Sequence, residues 1–285
     1  MTEAIPLGPF QLEEKIGEGG MGVIWRGRHC AADQVVAIKI MTGSESREDT
    51  YQEIFKNEVR AVAALDHPGI VEIFDHGELT AETAEASQGQ LAEGAPYFVM
   101  EFARRGSLER YLHGLDWPKA RYIIFNILDS LAHAHARGVI HRDLKPANVL
   151  VGCRGRDNLG LKLADFGLAR EMHIENRTDR VEKGWGTPLY MAPEQFRGRW
   201  RNFGPATDLY ALGCMVWEFV TGTVPFHSQN VLVLGRKHIE LPLPDFEPRM
   251  KLPDGVEGWL RRLMQKDHRD RFEFAADAAW GLLKL

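Results

Sequence analysis

The spacing of apolar residues along this chain changes from stretch to stretch, and the changes mark out its elements. Phe10, Leu12 and Ile16 open a strand-like run that enters Gly17-Glu18-Gly19-Gly20-Met21-Gly22 and resumes as Val23-Ile24-Trp25. Val35-Val36-Ala37-Ile38-Lys39 is β-branched and predicts a strand ending in a cation. Then the period lengthens. Ile54, Phe55, Val59, Val62 and Leu65 recur at helical spacing, and Glu58 falls on the same face, where a carboxylate needs a cation. Residues 70–74 and 97–100 read as two further strands. The stretch 78–95 between them is rich in Ala, Glu, Gln, Thr and Gly, offers little to pack, and is expected to be a mobile insertion.

The second half reads as mainly helical. Asp116-Trp117-Pro118 supplies a capping side chain and a first-turn proline. The run through Ile123, Ile124, Ile127, Leu128, Leu131 and His135 predicts an amphipathic helix that Gly138 ends. His133 and His135 sit two apart on it and point in different directions, which favours packing or solvent over metal. Val149-Leu150-Val151 and Leu161-Lys162-Leu163 predict a short strand pair. Residues 208–220 are apolar almost all round and predict a buried central helix, in which Glu218 needs a partner, an internal arginine or a basic substrate group. Helical segments over 231–237, 256–265 and 275–284 follow, and no internal repeat is present.

Composition narrows the class. A chain of 285 residues, 44% hydrophobic and 26% charged, suits one bilobal unit or two modest domains of a soluble globular protein. A net charge of −5 and a pI near 6.1 provide no overall basic field, so nucleic acid is not an expected partner. Cys30, Cys153 and Cys214 have neither metal-ligand nor disulfide-framework spacing and read as reduced thiols. No basic segment followed by an apolar run begins the chain, and no window approaches the roughly 18 consecutive apolar residues of a spanning helix. A cytoplasmic location is expected, with no membrane segment in this chain, which could still be part of a longer multidomain or membrane-anchored protein.

The chemistry concentrates in His141-Arg142-Asp143-Leu144-Lys145-Pro146-Ala147-Asn148. A carboxylate beside a Lys and an Asn at fixed offsets suits orienting a hydroxyl, neutralising a phosphoryl group and holding a metal. Asp165-Phe166-Gly167 adds a second carboxylate followed by a glycine that permits an unusual turn. Glycines 17, 19 and 22 remove Cβ atoms where backbone must turn and approach a ligand, leaving amides for phosphate oxygens. The strand that follows them disfavours a dinucleotide-binding fold, where a helix would follow.

Together these motifs resemble the eukaryotic-type (Hanks-type) serine/threonine protein kinase catalytic domain, in its bacterial branch, over residues 10–284. The resemblance implies an α+β, bilobal fold over the single domain 1–285: a small β-rich lobe of about 10–100 with one key helix, a hinge at 101–106, and a mainly helical lobe of about 107–285. It implies transfer of the γ-phosphate of ATP, with Mg2+, to serine or threonine of protein substrates. Lys39, paired with Glu58, would hold the α and β phosphates. Ile16, Gly17, Gly19, Gly22, Ile24, Ala37 and Leu150 would surround the nucleotide, with Met100 as gatekeeper and Glu101, Phe102 and Ala103 as the hinge. Asp143 would orient the attacking hydroxyl, Lys145 would neutralise the γ-phosphoryl group, and Asn148 with Asp165 would hold Mg2+.

Further residues acquire expected roles from the same resemblance. Gly186-Thr187-Pro188-Leu189-Tyr190-Met191-Ala192-Pro193-Glu194 is similar to the segment that cradles a protein substrate, and Glu194 would pair with Arg271. Asp208 would anchor the backbone of the 141–148 loop. Arg142 implies a loop ordered by a phosphate, for which Thr178, modified by a second copy on self-association, is the candidate and a standing charge at Glu175 or Glu182 the alternative. Ala147 stands where kinases that read an upstream arginine often carry Glu, so no strong demand for that arginine is expected. The rival readings are a pseudokinase scaffold and a small-molecule kinase. The complete set Lys39, Glu58, Asp143, Asn148 and Asp165 counts against the first, and the 186–194 segment against the second.

Overall fold

The computed structural model describes residues 4–19, 22–42, 49–112, 114–153, 160–166 and 188–285. Gly20, Met21, Gly167, Glu175, Thr178, Glu182, Gly186 and Thr187 lie outside the described residues. The chain divides into two compact units, one built from residues up to Asp66 with Val71–Arg104, the other from His67–Ile70, 105–166 and 188–285.

The first unit is an antiparallel sheet of six strands in the order β1-β2-β3-β4-β6-β5. They are β1 (Ile5–Leu7), β2 (Phe10–Gly19), β3 (Gly22–His29), β4 (Gln34–Met41), β5 (Ile73–Glu78) and β6 (Pro96–Glu101). Cross-strand partners share a face, so register decides which residues meet. Val23 pairs with Ile40, Trp25 with Ile38, and Ile38 with Val99, which gathers these buried side chains on one face. The opposite face receives helix α1 (Asp49–Ala63) through the buried strip Phe55, Val59 and Val62, with the Phe55 ring 6.1 Å from that of Phe98. Each such side chain contributes about 1.5–3 kcal/mol by leaving water.

Two expectations about this unit need correction, and one strand escaped the sequence reading. Strand β1 is too short, and interrupted by Pro6, to show as an alternating pattern. The strand expected at 70–74 lies at Ile73–Glu78, because buried Ile70 and Val71 are not ladder residues and the polar Asp75-His76-Gly77-Glu78 pairs with β6 instead. The stretch 78–95 is an ordered element, not a mobile loop. It contains helix α2 (Ala81–Ala86), capped by Thr80, and buries Leu79, Leu91 and Ala95 in one cluster with Ile5, Leu7, Ile38 and Val99. Its few apolar residues suffice because the sheet and β1 supply the rest of the core.

The second unit is helical: α3 (Trp117–His135), α4 (Pro193–Phe196), α5 (Pro205–Thr221), α6 (Val231–Glu240), α7 (Val256–Leu263) and α8 (Ala275–Leu283), with a hairpin of β7 (Val149–Leu150) and β8 (Lys162–Leu163). Asp116 caps α3 by accepting the Lys119 N–H at 3.0 Å, as the sequence predicts. Helix α5 is buried nearly all round, with Leu209, Leu212, Val216 and Val220 fully enclosed. It packs against α3, α7 and α8. At Gly213 a Cβ would stand 2.5 Å from Met264 Cγ, so the close approach of the end of α7 requires glycine there.

Candidate active site

The 141–148 loop is held from below by one carboxylate. Asp208, in the first turn of α5 and 1% exposed, accepts the N–H groups of His141 and Arg142 on its two oxygens, each at 2.8 Å. His135 Nε2 bonds Asp208 Oδ2, also at 2.8 Å. Burial alone would raise the carboxyl pKa, but the hydrogen bonds from His135 and from the His141 N–H work against it, and the group stays below its usual value. Gln195 Nε2 donates to the Arg142 carbonyl at 2.8 Å. These bonds fix Arg142 at φ +63°, a left-handed conformation that costs a non-glycine residue about 1–3 kcal/mol.

Asp143 leaves that constrained residue in a defined direction. Its Oδ2 accepts from Lys145 Nζ at 3.0 Å and Asn148 Nδ2 at 3.2 Å, and Asn148 Nδ2 also bonds the Asp143 carbonyl at 2.7 Å. Lys145 and Asn148 therefore converge on the Asp143 carboxylate.

Asn148 and Asp165 stand at the same end of the β7–β8 hairpin, because Ala164 N–H donates to the Asn148 carbonyl at 2.9 Å. Asp165 is left-handed, with φ +56°. His141 ties the two segments together. Its Nε2 lies 3.0 Å from the Ala164 carbonyl and so carries the proton, Nδ1 accepts the Asp143 N–H at 3.4 Å, and its ring lies 4.6 Å from that of Phe166. Complete burial pushes its pKa down and keeps the ring neutral near pH 7. The donor chemistry fits a hard cation: Asn148 turns its nitrogen toward Asp143, leaving its amide oxygen, and Asp165 brings a carboxylate. Among the described residues there is no group of three or more His, Cys, Asp and Glu able to enclose a metal. One or two protein oxygens completed by phosphate oxygens is the arrangement typical of Mg2+.

The segment leading into α4 is fastened to the same unit. Glu194 and Arg271 form a buried two-pronged pair, NH1 to Oε1 at 2.8 Å and NH2 to Oε2 at 2.9 Å. Thr207 adds a bond to Oε1 at 2.9 Å. The Tyr190 hydroxyl donates to Glu218 Oε2 at 2.7 Å, giving Glu218 a partner that sequence reasoning did not consider. Burial, then the bond to Glu218 and its charge, raise the Tyr190 pKa far above the ordinary value, so the hydroxyl stays protonated.

In the first unit, register collects the other candidate residues on one sheet face. Gly17 pairs with Ile24, Ile24 with Lys39, Lys39 with Phe98, and Ala37 with Met100. Gly17, Ile24, Ala37, Lys39 and Met100 thus share a face, and it is the face on which α1 packs by way of Phe98. Glu58, half-buried on α1, belongs to that helix. Gly19 pairs with Gly22 at the turn, and Gly22 has φ +152° with a hypothetical Cβ 2.1 Å from the Ile40 carbonyl oxygen, so only glycine fits. Gly19 faces open space instead. Ile16 is 46% exposed, Glu101 is buried with its N–H bonded to the Glu72 carbonyl, and Ala103 follows the end of β6. Leu150 belongs to the second unit, on β7.

His135, Gln195 and Thr207 were not found as supporting residues by sequence reasoning. His135 reads from its helix position as packing or solvent-facing, and its partner, Asp208, lies on another helix where that spacing gives no sign of it. A signal did exist for Gln195, which directly follows Glu194.

A family model described as "Protein kinase domain" matches residues 10–279. Among curated relatives, the probable serine/threonine-protein kinase PknB of Bifidobacterium longum is 31% identical over 282 residues, covering 97% of this chain and 39% of the relative. Serine/threonine-protein kinase pkn3 of Myxococcus xanthus is 32% identical over 275 residues, covering 92% and 47%. Serine/threonine-protein kinase PrkC of Bacillus subtilis is 32% identical over 278 residues, covering 95% and 39%. The chain spans less than half the length of these relatives. A match across nearly all of its own residues shows that the chain belongs to the protein kinase domain family, in the Hanks-type branch that its bacterial relatives share.

Proposed function

We propose that this chain transfers the γ-phosphoryl group of ATP, with Mg2+, to serine or threonine hydroxyls of protein substrates, itself included. The observation that carries the reading is the Asp143 carboxylate, bonded by Lys145 and Asn148 on a loop whose strained backbone Asp208 clamps. Transfer of this kind needs positioning and charge stabilisation more than covalent chemistry. Asp143 orients the attacking hydroxyl and takes its proton. Lys145 neutralises charge on the transferred group. Asn148 and Asp165 are assigned the cation, which when bound draws charge from the phosphate oxygens.

Lys39 is assigned to the α and β phosphates, with Glu58 holding it in place. Ile16, Gly17, Gly19, Gly22, Ile24, Ala37, Met100, Glu101, Ala103 and Leu150 are assigned to the nucleotide. The shared face of Gly17, Ile24, Ala37, Lys39 and Met100 supports that assignment. Self-association for modification of Thr178 belongs to the same proposal. So does a cytoplasmic location, where ATP is present and an exposed thiol such as Cys30 stays reduced. Among the described residues, no helix is long and apolar enough to cross a membrane.

The test is label transfer from γ-labelled ATP to a serine/threonine peptide library and to a panel of small metabolites. Labelled peptides are expected. Nucleotide binding without transfer would make the chain a scaffold, and labelled metabolites alone would make it a small-molecule kinase.

A second expectation concerns Asp208. An Asn at this position sets an NH2 group against one of the two backbone N–H groups, which frees Arg142 from its left-handed conformation and displaces Asp143. Because about 1 Å of misplacement can cost around 100-fold in rate, Asp208→Asn is expected to lower kcat between about 10- and 100-fold while the protein stays folded. Steady-state kinetics alongside circular dichroism checks this.

A further inference from the structure

We infer that the 78–95 insertion is a positioning element that sets the roll of helix α1, and with it the placement of Glu58. The inference rests on the catalytic role proposed for Glu58. Two polar ties join the insertion to the helix: Gln52 Nε2 donates to the Gly94 carbonyl at 3.0 Å, and Lys56 Nζ lies 2.7 Å from Glu78 Oε1.

The insertion is firm enough to act as a bracket. Its base is closed by Leu79 N–H to the Ala95 carbonyl at 2.9 Å and Gly94 N–H to the Leu79 carbonyl at 2.8 Å. Buried Thr83 donates to the Pro6 carbonyl at 2.8 Å, which fastens α2 to β1. Buried Ser87 donates to the Ala84 carbonyl at 2.7 Å and accepts the Leu91 N–H at 3.0 Å. Leu79, Leu91 and Ala95 lie in the core, so the Glu78 and Gly94 ends cannot drift without opening it.

Helix geometry shows what the bracket controls. At 3.6 residues per turn, the buried strip Phe55, Val59 and Val62 is a narrow seam, about 60° wide. A seam resists lifting of the helix but resists roll only weakly. Gln52 and Lys56 project about 60° and 100° to one side of Phe55, while Glu58 projects about 60° to the other. A roll that slackens the ties therefore also moves Glu58. At a side-chain reach of about 8 Å, a 10° roll displaces the carboxylate by about 1.4 Å, enough to break a hydrogen bond. The Lys56–Glu78 pair is 44% and 36% exposed, so it adds little to global stability. That separates its expected effect on activity from any effect on folding.

Charge reversal and its rescue test the bracket. Lys56→Glu and Glu78→Lys are each expected to lower kcat about fivefold and to speed amide hydrogen exchange across α1, with the melting temperature unchanged. The double reversal restores both kcat and exchange. Gln52→Ala gives a smaller change of the same kind. Unchanged exchange in both single variants, or a double variant no better than the singles, overturns the inference. Should the wild-type protein transfer no phosphate at all, the proposed function fails, and the exchange pattern with its rescue still decides whether the insertion sets the helix.

Discussion

Asp143→Asn is expected to lower kcat about a thousandfold while leaving the fold and nucleotide binding in place. Positioned proton transfer contributes about 100- to 10,000-fold in general. The substitution is nearly isosteric, and an amide can turn its oxygen toward the donors Lys145 Nζ and Asn148 Nδ2, so the loop keeps its internal bonds. What disappears is the negative charge that draws the hydroxyl proton. Because the substrate hydroxyl is charged only as transfer begins, the loss should fall on kcat, with the KM for ATP changed little. Single-turnover rates measured across a range of ATP concentrations separate the two. A KM effect with unchanged kcat would assign Asp143 to binding instead.

The largest effect on stability is expected from Arg271→Met. Arg271 is 3% exposed and places its donors on both Glu194 oxygens and on the carbonyls of Ala206, Gln265 and Lys266. Its guanidinium also lies 4.8 Å from the Tyr210 ring centre. Methionine can fill much of the volume but leaves the Glu194 carboxylate buried without its cation, which costs about 3–5 kcal/mol. For a chain of this size that corresponds to a fall in melting temperature of about 10 °C. Since the penalty belongs to the stranded charge, a Glu194→Leu/Arg271→Met double variant should recover part of the loss. Differential scanning calorimetry of both variants measures it. Equal losses would mean that packing, and not the ion pair, dominates.

Much of the candidate site was legible because its chemistry is local. Asp143, Lys145 and Asn148 lie within one loop, and their offsets alone brought them together. The Glu194–Arg271 pair came instead from family resemblance, since nothing in the spacing of two distant residues announces a contact. The strand at 70–74 was misplaced because apolar burial and ladder pairing are different demands, and Ile70 and Val71 satisfy the first without belonging to β5. The insertion was misjudged because a segment poor in apolar residues was assumed to need a core of its own. Leu79, Leu91 and Ala95 join a core that the sheet had already begun.

By itself the sequence marked most of the elements, though not β1 or α2, and the side chains proposed to carry the chemistry, because helical and strand periods and short motifs are set over a few neighbouring residues. The family resemblance already named Asp208 as the anchor of the loop; only the tertiary structure decided that it holds the successive N–H groups of His141 and Arg142, that His141 joins Asp143 to the Asp165 segment, and that 78–95 ties down α1. Each of these depends on the direction in which a distant side chain arrives. That direction follows from packing and register, and is not encoded in the distance along the chain.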